Sequence, residues 1–179
     1  MKVIETGQDR KIAALKSSFH VHTFLFEGVI MNREYMDIAF EEAYKAFTID
    51  EVPIGAVIVK DNKIIAKAHN LKETLNCCTK HAEIIAIEYA SKKLNNWRLI
   101  DCDLYVTLDP CPMCASAIKQ ARIKNVYSAG ANSDLDNYNI ISNIFNSNDI
   151  NPSINFISNV DTIKSKNILN DFFNKKRNN

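Results

Sequence analysis

Two short stretches of the sequence carry residues that can bind a metal. They are His-Ala-Glu at 81–83 and Pro-Cys-Pro-Met-Cys at 110–114. Cys111 and Cys114 are three positions apart, so on one helical turn both sulfurs point to the same side. In a first turn they also face the positive end of the helix dipole, which lowers the thiol pKa and favours the metal-binding thiolate. One imidazole then completes three protein ligands and leaves a fourth position open, as in catalytic zinc sites.

Glu83 supplies a carboxylate two residues after the histidine without occupying the metal. Zinc lowers the pKa of a bound water from about 15.7 toward 7, and a partner must then move a proton to the ring nitrogen and the leaving amine. Regular helix geometry would aim positions 81 and 83 in different directions, so we expect both at a helix start. His-x-Glu followed by Pro-Cys-x-x-Cys is typical of zinc-dependent deaminases. We predict one zinc ion per chain, bound by His81, Cys111 and Cys114, with Glu83 as proton shuttle.

The same residues permit other interpretations. Cys-x-x-Cys also occurs in structural zinc sites and redox sites, and Cys77 or Cys78 could supply a fourth protein ligand. Glu83 taken alone would be an ordinary solvated helix residue. Cys102 is predicted to be a small packed side chain. Three further histidines lack partner spacing and are predicted not to be ligands: His20, His22 and His69.

The elements that must position these residues alternate between strands and helices. The apolar periodicity predicts helices over 34–47, 81–94, 113–121, 139–145 and 162–176, with Asn32 as the first N-cap. Strands are predicted over 54–59, 63–69, 104–108, 126–129 and 155–157, with a hairpin turn at Asp61-Asn62. This alternation favours an α/β fold, a three-layer α/β/α sandwich around a five-stranded mixed sheet.

Length and composition set limits on the remaining possibilities. A chain of 179 residues, 46% hydrophobic, suits one globular domain. A net charge of +1 neither favours nor excludes nucleic acid, and five unevenly clustered cysteines argue for a reducing compartment rather than a disulfide framework. The sequence contains no uncharged apolar stretch of about 18 residues, so no membrane span is predicted. We expect residues 1–30 to form a poorly ordered extension, with Met31 as an alternative start, and residues 31–179 to form the zinc deaminase domain.

Beyond the zinc motifs, the sequence resembles the bacterial tRNA adenosine deaminases from about Tyr35 to Arg177. The zinc motifs alone are shared with cytidine, guanine and other deaminases. The wider resemblance rests on Glu-Val-Pro-Ile-Gly-Ala-Val at 51–57, Asn70, Arg-Leu-Ile-Asp at 98–101, Leu-Tyr-Val-Thr-Leu at 104–108, Arg-Ile at 122–123 and Asp-Phe-Phe at 171–173.

The resemblance implies a cytidine deaminase-like fold and a cytoplasmic homodimer that converts adenosine to inosine at the wobble position of a tRNA anticodon. Asn70 matches the family asparagine that contacts the target nucleotide, although a turn-capping role is equally consistent with its spacing. Asn132 replaces the family aspartate that contacts an RNA ribose, and an amide can still bond a 2′-hydroxyl.

The Asp-Phe-Phe segment predicts one core residue and one RNA contact. We expect one of Phe172 and Phe173 to be buried, and the other, assigned to Phe173, to stack on an anticodon base beside the basic residues 175–177. A solvated, frayed terminus is the alternative for the basic run. The chain departs from the family pattern at Asp109, where glutamate is usual, and at the Cys77-Cys78 pair.

Two rival functions stay open on the sequence alone. A deaminase of a free base, nucleoside or nucleotide, of guanine or cytosine type, would have identical zinc chemistry. The C-terminal aromatic-basic segment and the loop around Asn132 are the features that discriminate it from an RNA-directed enzyme. A non-catalytic zinc-binding or RNA-binding module would release no ammonia.

Overall fold

A computed structural model describes residues 23–26, 29–130, 135–147 and 153–178. The chain divides into two units, residues 1–34 and residues 35–179. In the first unit, β1 (Thr23–Phe26) and β2 (Val29–Asn32) pair antiparallel, with Phe26 opposite Val29. The sequence did not predict these two strands. The domain limits of 1–30 and 31–179 stay predictions, and residues 1–22 lie outside the described part.

The second unit contains a five-stranded sheet, whose strands are β3 (Gly55–Lys60), β4 (Lys63–His69), β5 (Cys102–Val106), β6 (Asn125–Ser128) and β7 (Asn155–Ile157). Their order in the sheet is β4-β3-β5-β6-β7. The strand β3 runs antiparallel to both of its neighbours, whereas the pairs β5-β6 and β6-β7 are parallel. The mixed sheet confirms the predicted fold class.

Five described helices accompany the sheet, each near its predicted position. They are α1 (Arg33–Thr48), α2 (Ala82–Leu94), α3 (Pro112–Gln120), α4 (Leu135–Asn146) and α5 (Thr162–Arg177). The largest boundary error is at α4, which begins at Leu135 rather than Asn139. No helix in the described part of the chain is long and apolar enough to cross a membrane.

The three central strands β3, β5 and β6 are largely buried on both faces of the sheet. On one face, Ile58, Leu104 and Val126 belong to a buried cluster that includes apolar residues of α2, α3 and α4. On the other face, Tyr105 stacks on Tyr127 with ring centroids 4.6 Å apart and meets Tyr35 of α1 edge-on. Helices therefore cover both sides, which gives the predicted three layers.

Two local features fix how β3 enters and leaves the sheet. Asp61 and Asn62 adopt φ values of 50° and 58°, which is typical of the tight hairpin turn that was predicted there. Gly55 lies so close to α1 that a Cβ atom would come within 2.0 Å of the Ala39 carbonyl oxygen. Only glycine allows this approach, so the start of β3 packs directly against the helix.

Candidate active site

The predicted imidazole ligand lies at the start of α2. His81 is the N-cap residue, with an extended backbone (φ −76°, ψ 153°) and no side-chain capping hydrogen bond. Glu83 lies in the first turn and is buried. Because the N-cap residue is outside the regular helical geometry, His81 escapes the spacing that would aim positions 81 and 83 apart. Both residues are therefore at the helix start, as the sequence required.

The two predicted thiol ligands lie at the start of α3. Cys111 is the N-cap residue, again with an extended backbone (φ −72°, ψ 167°), and Cys114 is buried in the first turn. Pro112 occupies the first helical position, where a missing N–H costs nothing and a fixed φ favours helix initiation. The Pro-Cys-Pro-Met-Cys stretch thus begins the helix and places both sulfurs on its first turn.

The three predicted ligands form one group. The Nδ1 atom of His81 lies 3.7 Å from the Sγ atom of Cys111 and 3.5 Å from the Sγ atom of Cys114. All three ligand atoms lie within 4.8 Å of one another. With Zn–S near 2.3 Å and Zn–N near 2.0 Å, a tetrahedral zinc site holds such atoms about 3.5 to 3.8 Å apart. The nitrogen–sulfur distances and the donor types therefore fit a zinc ion.

The described residues add no fourth protein ligand to this group. The His81, Cys111 and Cys114 group has no further histidine, cysteine or carboxylate within the same range in the described ranges. Cys77 instead contacts the hydroxyl of Thr79 at 3.3 Å, and Cys78 is exposed. The alternative of a structural zinc site completed by either cysteine therefore finds no support in this part of the chain. An open fourth position is what catalytic zinc sites need.

The two thiols of the group have opposite proton affinities. Hydrogen bonding by the Cys114 side chain lowers the pKa of Cys111 to about 5, despite partial burial that acts the other way. The same hydrogen bond, together with burial, raises the pKa of Cys114. One thiol of the pair is therefore easily ionised while the other holds its proton, and a cation would bind both as thiolates.

Glu83 is a buried carboxylic acid beside this group. Its side chain is 3% exposed, and burial, the largest cause, raises its pKa. The Oε2 atom has no hydrogen-bond partner among the described residues. Leaving a buried polar atom unpaired is costly, so such an atom calls for a partner outside the protein's own side chains. A substrate or a water molecule at the metal group would supply one.

Asp109 is a site residue that the sequence marked only as a departure from the family pattern. It is 4% exposed, and burial raises its pKa. Its Oδ1 atom accepts a 2.7 Å hydrogen bond from the Ser158 hydroxyl, and its backbone N–H donates to the Gly130 carbonyl at 2.8 Å. These bonds connect the segment that leads to Cys111 with the segments that follow β6 and β7. The signal in the sequence that could have indicated this connecting role of Asp109 is an acidic residue directly before the metal-binding stretch.

Asn70 follows β4 and is buried, but it does not cap a turn with its side chain. Its Nδ2 atom donates to Oε2 of Glu51 at 3.2 Å. The backbone N–H of Leu71 donates to the Lys80 carbonyl at 3.0 Å, which closes the intervening loop and brings residue 70 beside His81. Asn70 therefore lies at the same edge as the metal group. The buried Glu51 carboxylate was not predicted, because its partner is distant in sequence.

The C-terminal helix α5 shows the expected division between its two aromatic residues. Phe172 is 3% exposed and meets the Phe47 ring at 5.8 Å, whereas Phe173 is 45% exposed. The helix continues to Arg177, and the Lys176 ammonium donates to the carboxylate of Asp50, which lies in the turn after α1. The basic end is therefore helical rather than frayed, and Lys176 has Asp50 as its partner. Asp50 directly precedes Glu51 in the sequence.

The predicted site residues thus fall into three groups. His81, Glu83, Cys111, Cys114 and Asn70 lie at one edge of the domain. Phe173 is exposed on α5, where Lys176 connects the helix to Asp50. Asn132 lies outside the described residues, and its contact with RNA stays a prediction.

Residues 30–177 match the family of MafB19-like deaminases. Among curated proteins, the chain is 39% identical over 150 residues to the tRNA-specific adenosine deaminase of Aquifex aeolicus. The aligned residues cover 83% of this chain and 99% of that protein. It is 55% identical over 92 residues to the chloroplastic tRNA(adenine(34)) deaminase of Arabidopsis thaliana, which covers 51% of this chain but only 7% of that longer protein.

Two solved structures share the fold and part of the sequence. One comes from work on A-to-I editing by tRNA:A34 deaminases at the wobble position of transfer RNA. It has a TM-score of 0.71 and 37% identity, over 77% of this chain and 100% of that chain. The other is a guanine deaminase from Bacillus subtilis, with a TM-score of 0.56 and 35% identity, over 83% of this chain and 96% of that chain.

Proposed function

Because this chain belongs to the MafB19-like deaminases and also to the tRNA-specific adenosine deaminases, we propose that it hydrolyses adenosine to inosine at the wobble position of a tRNA anticodon. The observation that carries the proposal is the group of His81, Cys111 and Cys114 beside the buried Glu83. This group occurs in a chain that matches the Aquifex enzyme over almost its whole length.

The proposed cofactor is one zinc ion per chain, held by His81, Cys111 and Cys114. The nitrogen–sulfur distances, and a group that contains three ligand residues and no fourth within the described ranges, support this assignment. When bound, zinc would act as a Lewis acid that lowers the pKa of a water molecule at the fourth position. The protein's own part is to fix three ligands on two helix starts without adding a fourth ligand from the described residues.

Glu83 is the residue that would move protons. Its carboxylate would take a proton from the attacking water and deliver it to the adenine ring nitrogen next to the reacting carbon. It would then assist the transfer of a further proton to the leaving amine, so that adenosine and water give inosine and ammonia. The burial of Glu83 and the unpaired Oε2 atom support this role, because both place a proton carrier where solvent is scarce.

The proposed RNA contacts lie around this group. The target base would leave the anticodon stack to reach the pocket, and a single-stranded loop lowers the cost of that step. Asn70 would contact the target nucleotide, Asn132 a ribose, and Phe173 a neighbouring base. The exposure of Phe173 supports its assignment, since stacking needs an accessible ring.

A homodimer and a cytoplasmic location, both implied by the family resemblance, are further proposals. The molar mass of the purified protein in solution, measured by light scattering, tests the first. Cell fractionation with an antibody to the native chain tests the second. A monomer that is fully active on RNA would contradict the dimer as a functional unit.

The main test is turnover on an anticodon stem-loop with adenosine at the wobble position. The zinc-loaded protein should convert that adenosine to inosine, measured by mass analysis of the released nucleosides. A stem-loop with adenosine at another loop position is the matched control and should stay unmodified. Absence of inosine from a fully zinc-loaded protein would contradict the proposal.

Deamination of a free base is the second candidate, because the chain is 35% identical to a guanine deaminase over most of its length. The zinc chemistry is the same for both, so the metal group does not discriminate between them. Ammonia release from free guanine or cytosine compounds, without activity on the stem-loop, would favour this candidate. Bound zinc without ammonia release from either substrate class would favour a non-catalytic binding module.

A further inference from the structure

Glu51 is a fully buried carboxylate that the metal chemistry does not use. Its Oε2 atom accepts a hydrogen bond from Nδ2 of Asn70 at 3.2 Å, and its Oε1 atom accepts one from the backbone N–H of Thr74 at 2.5 Å. Burial acts to raise the pKa of Glu51, but hydrogen bonds from the Thr74 backbone and hydroxyl and from the Glu73 backbone hold that pKa below its usual value. The group is therefore an anion at neutral pH.

An ionised carboxylate can only accept hydrogen bonds, so it dictates how the Asn70 amide is turned. The amide nitrogen must face Glu51, and one of its two N–H groups is committed there. No other hydrogen bond to the Asn70 side chain exists within the described ranges. The second N–H and the carbonyl oxygen thus stay available, at the edge where the Leu71–Lys80 bond brings residue 70 beside His81.

We propose that Glu51 is a positioning residue for substrate recognition, which orients the Asn70 amide so that its second N–H donates to the target nucleotide. This inference rests on the proposed function, in which Asn70 contacts that nucleotide. A nucleotide within an RNA strand presents mostly acceptors: purine ring nitrogens, ribose oxygens and phosphate oxygens. A fixed donor matches these atoms, whereas a freely rotating amide would present its oxygen part of the time.

Glutamine at position 51 tests this role because it has nearly the same shape but different hydrogen-bonding capacity. Its terminal amide has one acceptor atom and one donor atom, so it cannot accept from both Thr74 and Asn70. The Thr74 backbone N–H cannot turn and therefore holds the glutamine oxygen, so the glutamine NH2 group faces Asn70. Asn70 then either loses its acceptor or turns over and presents its carbonyl oxygen to the nucleotide. In both cases the fixed donor is lost while the volume of the buried side chain is kept.

The experiment is a double-mutant cycle on the zinc-loaded protein with the wobble-adenosine stem-loop. Asn70→Ala and Glu51→Gln should each lower kcat/KM by about 10- to 100-fold, the effect of leaving one polar group unpaired. Most of the change should appear in KM, and zinc content should stay at the wild-type value. The double variant should resemble Asn70→Ala alone, because Glu51 acts through Asn70. A loss equal to the product of the two single losses would overturn the proposal, as would wild-type kinetics for Glu51→Gln.

A reversed pair separates positioning from simple structural support. In the double variant Glu51→Gln with Asn70→Asp, the glutamine amide can donate to the new carboxylate, which restores contact between the two side chains. That carboxylate has no donor for the nucleotide. Urea unfolding should therefore show partial recovery of stability relative to Glu51→Gln, while kcat/KM stays low. Recovery of kcat/KM together with stability would mean that Glu51 only supports the fold and would overturn the proposal.

Failure of the proposed function is distinguishable from failure of this inference. Wild-type protein that is fully zinc-loaded and makes no inosine contradicts the function. In that case the same variants are compared by their affinity for the fluorescently labelled stem-loop. A weaker affinity for Glu51→Gln, not made worse by the added Asn70→Ala, supports the positioning role. Equal affinities of wild type and Glu51→Gln overturn it.

Discussion

The four helix starts that the structure describes in detail fall into two kinds. The helices α1 and α5 are capped by side chains: the side-chain Oδ1 atom of Asn32 accepts from the backbone N–H of Glu34 at 3.0 Å, and the Asp161 carboxylate accepts from the backbone N–H of Lys164. The helices α2 and α3 begin with His81 and Cys111, whose extended backbones suit a cap but whose side chains make no capping hydrogen bond.

This difference shows which helix starts serve stability and which serve the site. A good N-cap residue contributes about 1 kcal/mol to helix stability, and α2 and α3 give up that contribution. In return, the positive ends of both helix dipoles lie beside the thiols and Glu83, where negative charge must be held. Among the four helix starts described in detail, the two without a capping side chain are therefore the two that carry the metal group.

The largest effect expected at an uncapped start is loss of the metal. Cys114→Ser should reduce bound zinc from one ion per chain to almost none and abolish turnover, because a neutral hydroxyl does not replace a thiolate ligand. Metal content by mass spectrometry of purified protein measures it. Cys78→Ser, at an exposed cysteine outside the metal group, is the matched control and should retain zinc. Zinc at wild-type levels in Cys114→Ser would contradict the ligand assignment.

The next effect concerns catalysis without loss of the metal. Glu83→Gln should retain zinc and lower kcat by about 10²- to 10⁴-fold, the usual contribution of a positioned acid–base group. Steady-state kinetics on the stem-loop, with zinc content measured in parallel, gives the result. The control is Glu88→Gln on the same helix, where the carboxylate pairs with Lys80. A kcat close to wild type in Glu83→Gln would remove Glu83 from the proposed mechanism.

A smaller effect is expected at a capped start. Asp161→Ala should lower the free energy of unfolding by about 1 kcal/mol, since it removes the carboxylate that accepts from the first turn of α5. Urea unfolding followed by circular dichroism measures the change. Turnover at temperatures well below the unfolding midpoint should be unaffected. A variant as stable as wild type would mean that this cap contributes nothing.

The smallest expected effect is a change in stability at the N-cap position of α2, where His81 makes no capping hydrogen bond. In metal-free protein, His81→Asn should raise the free energy of unfolding by roughly 0.5 kcal/mol, because asparagine is among the best N-cap residues and the backbone there is already extended. The comparison needs metal-free wild type, since zinc itself stabilises the folded chain. Lower stability of His81→Asn would show that the histidine supports the helix start in another way.

The fold and the metal group were accessible from the sequence because both depend on local patterns. Helical periodicity, a hairpin turn at Asp61-Asn62 and alternating elements predicted a mixed sheet between helices, which the structure confirms. The pair β1-β2 was not predicted, since its strands lie in an apolar run without a clear alternating pattern. The largest boundary error is at α4, which begins at Leu135 rather than at the predicted Asn139.

What the sequence alone determined is the set of donor types and their spacing, because a cysteine pair three residues apart and a histidine before an acid are properties of neighbouring positions. The tertiary structure decided the rest. The bond between Asn70 and Glu51 spans 19 residues, and the bond between Asp109 and Ser158 spans 49. Such contacts arise only when strands and helices pack, and so does the burial that leaves Glu83 with an unpaired oxygen. Burial and distant partners, which control proton affinity and side-chain orientation, are not encoded in any local pattern.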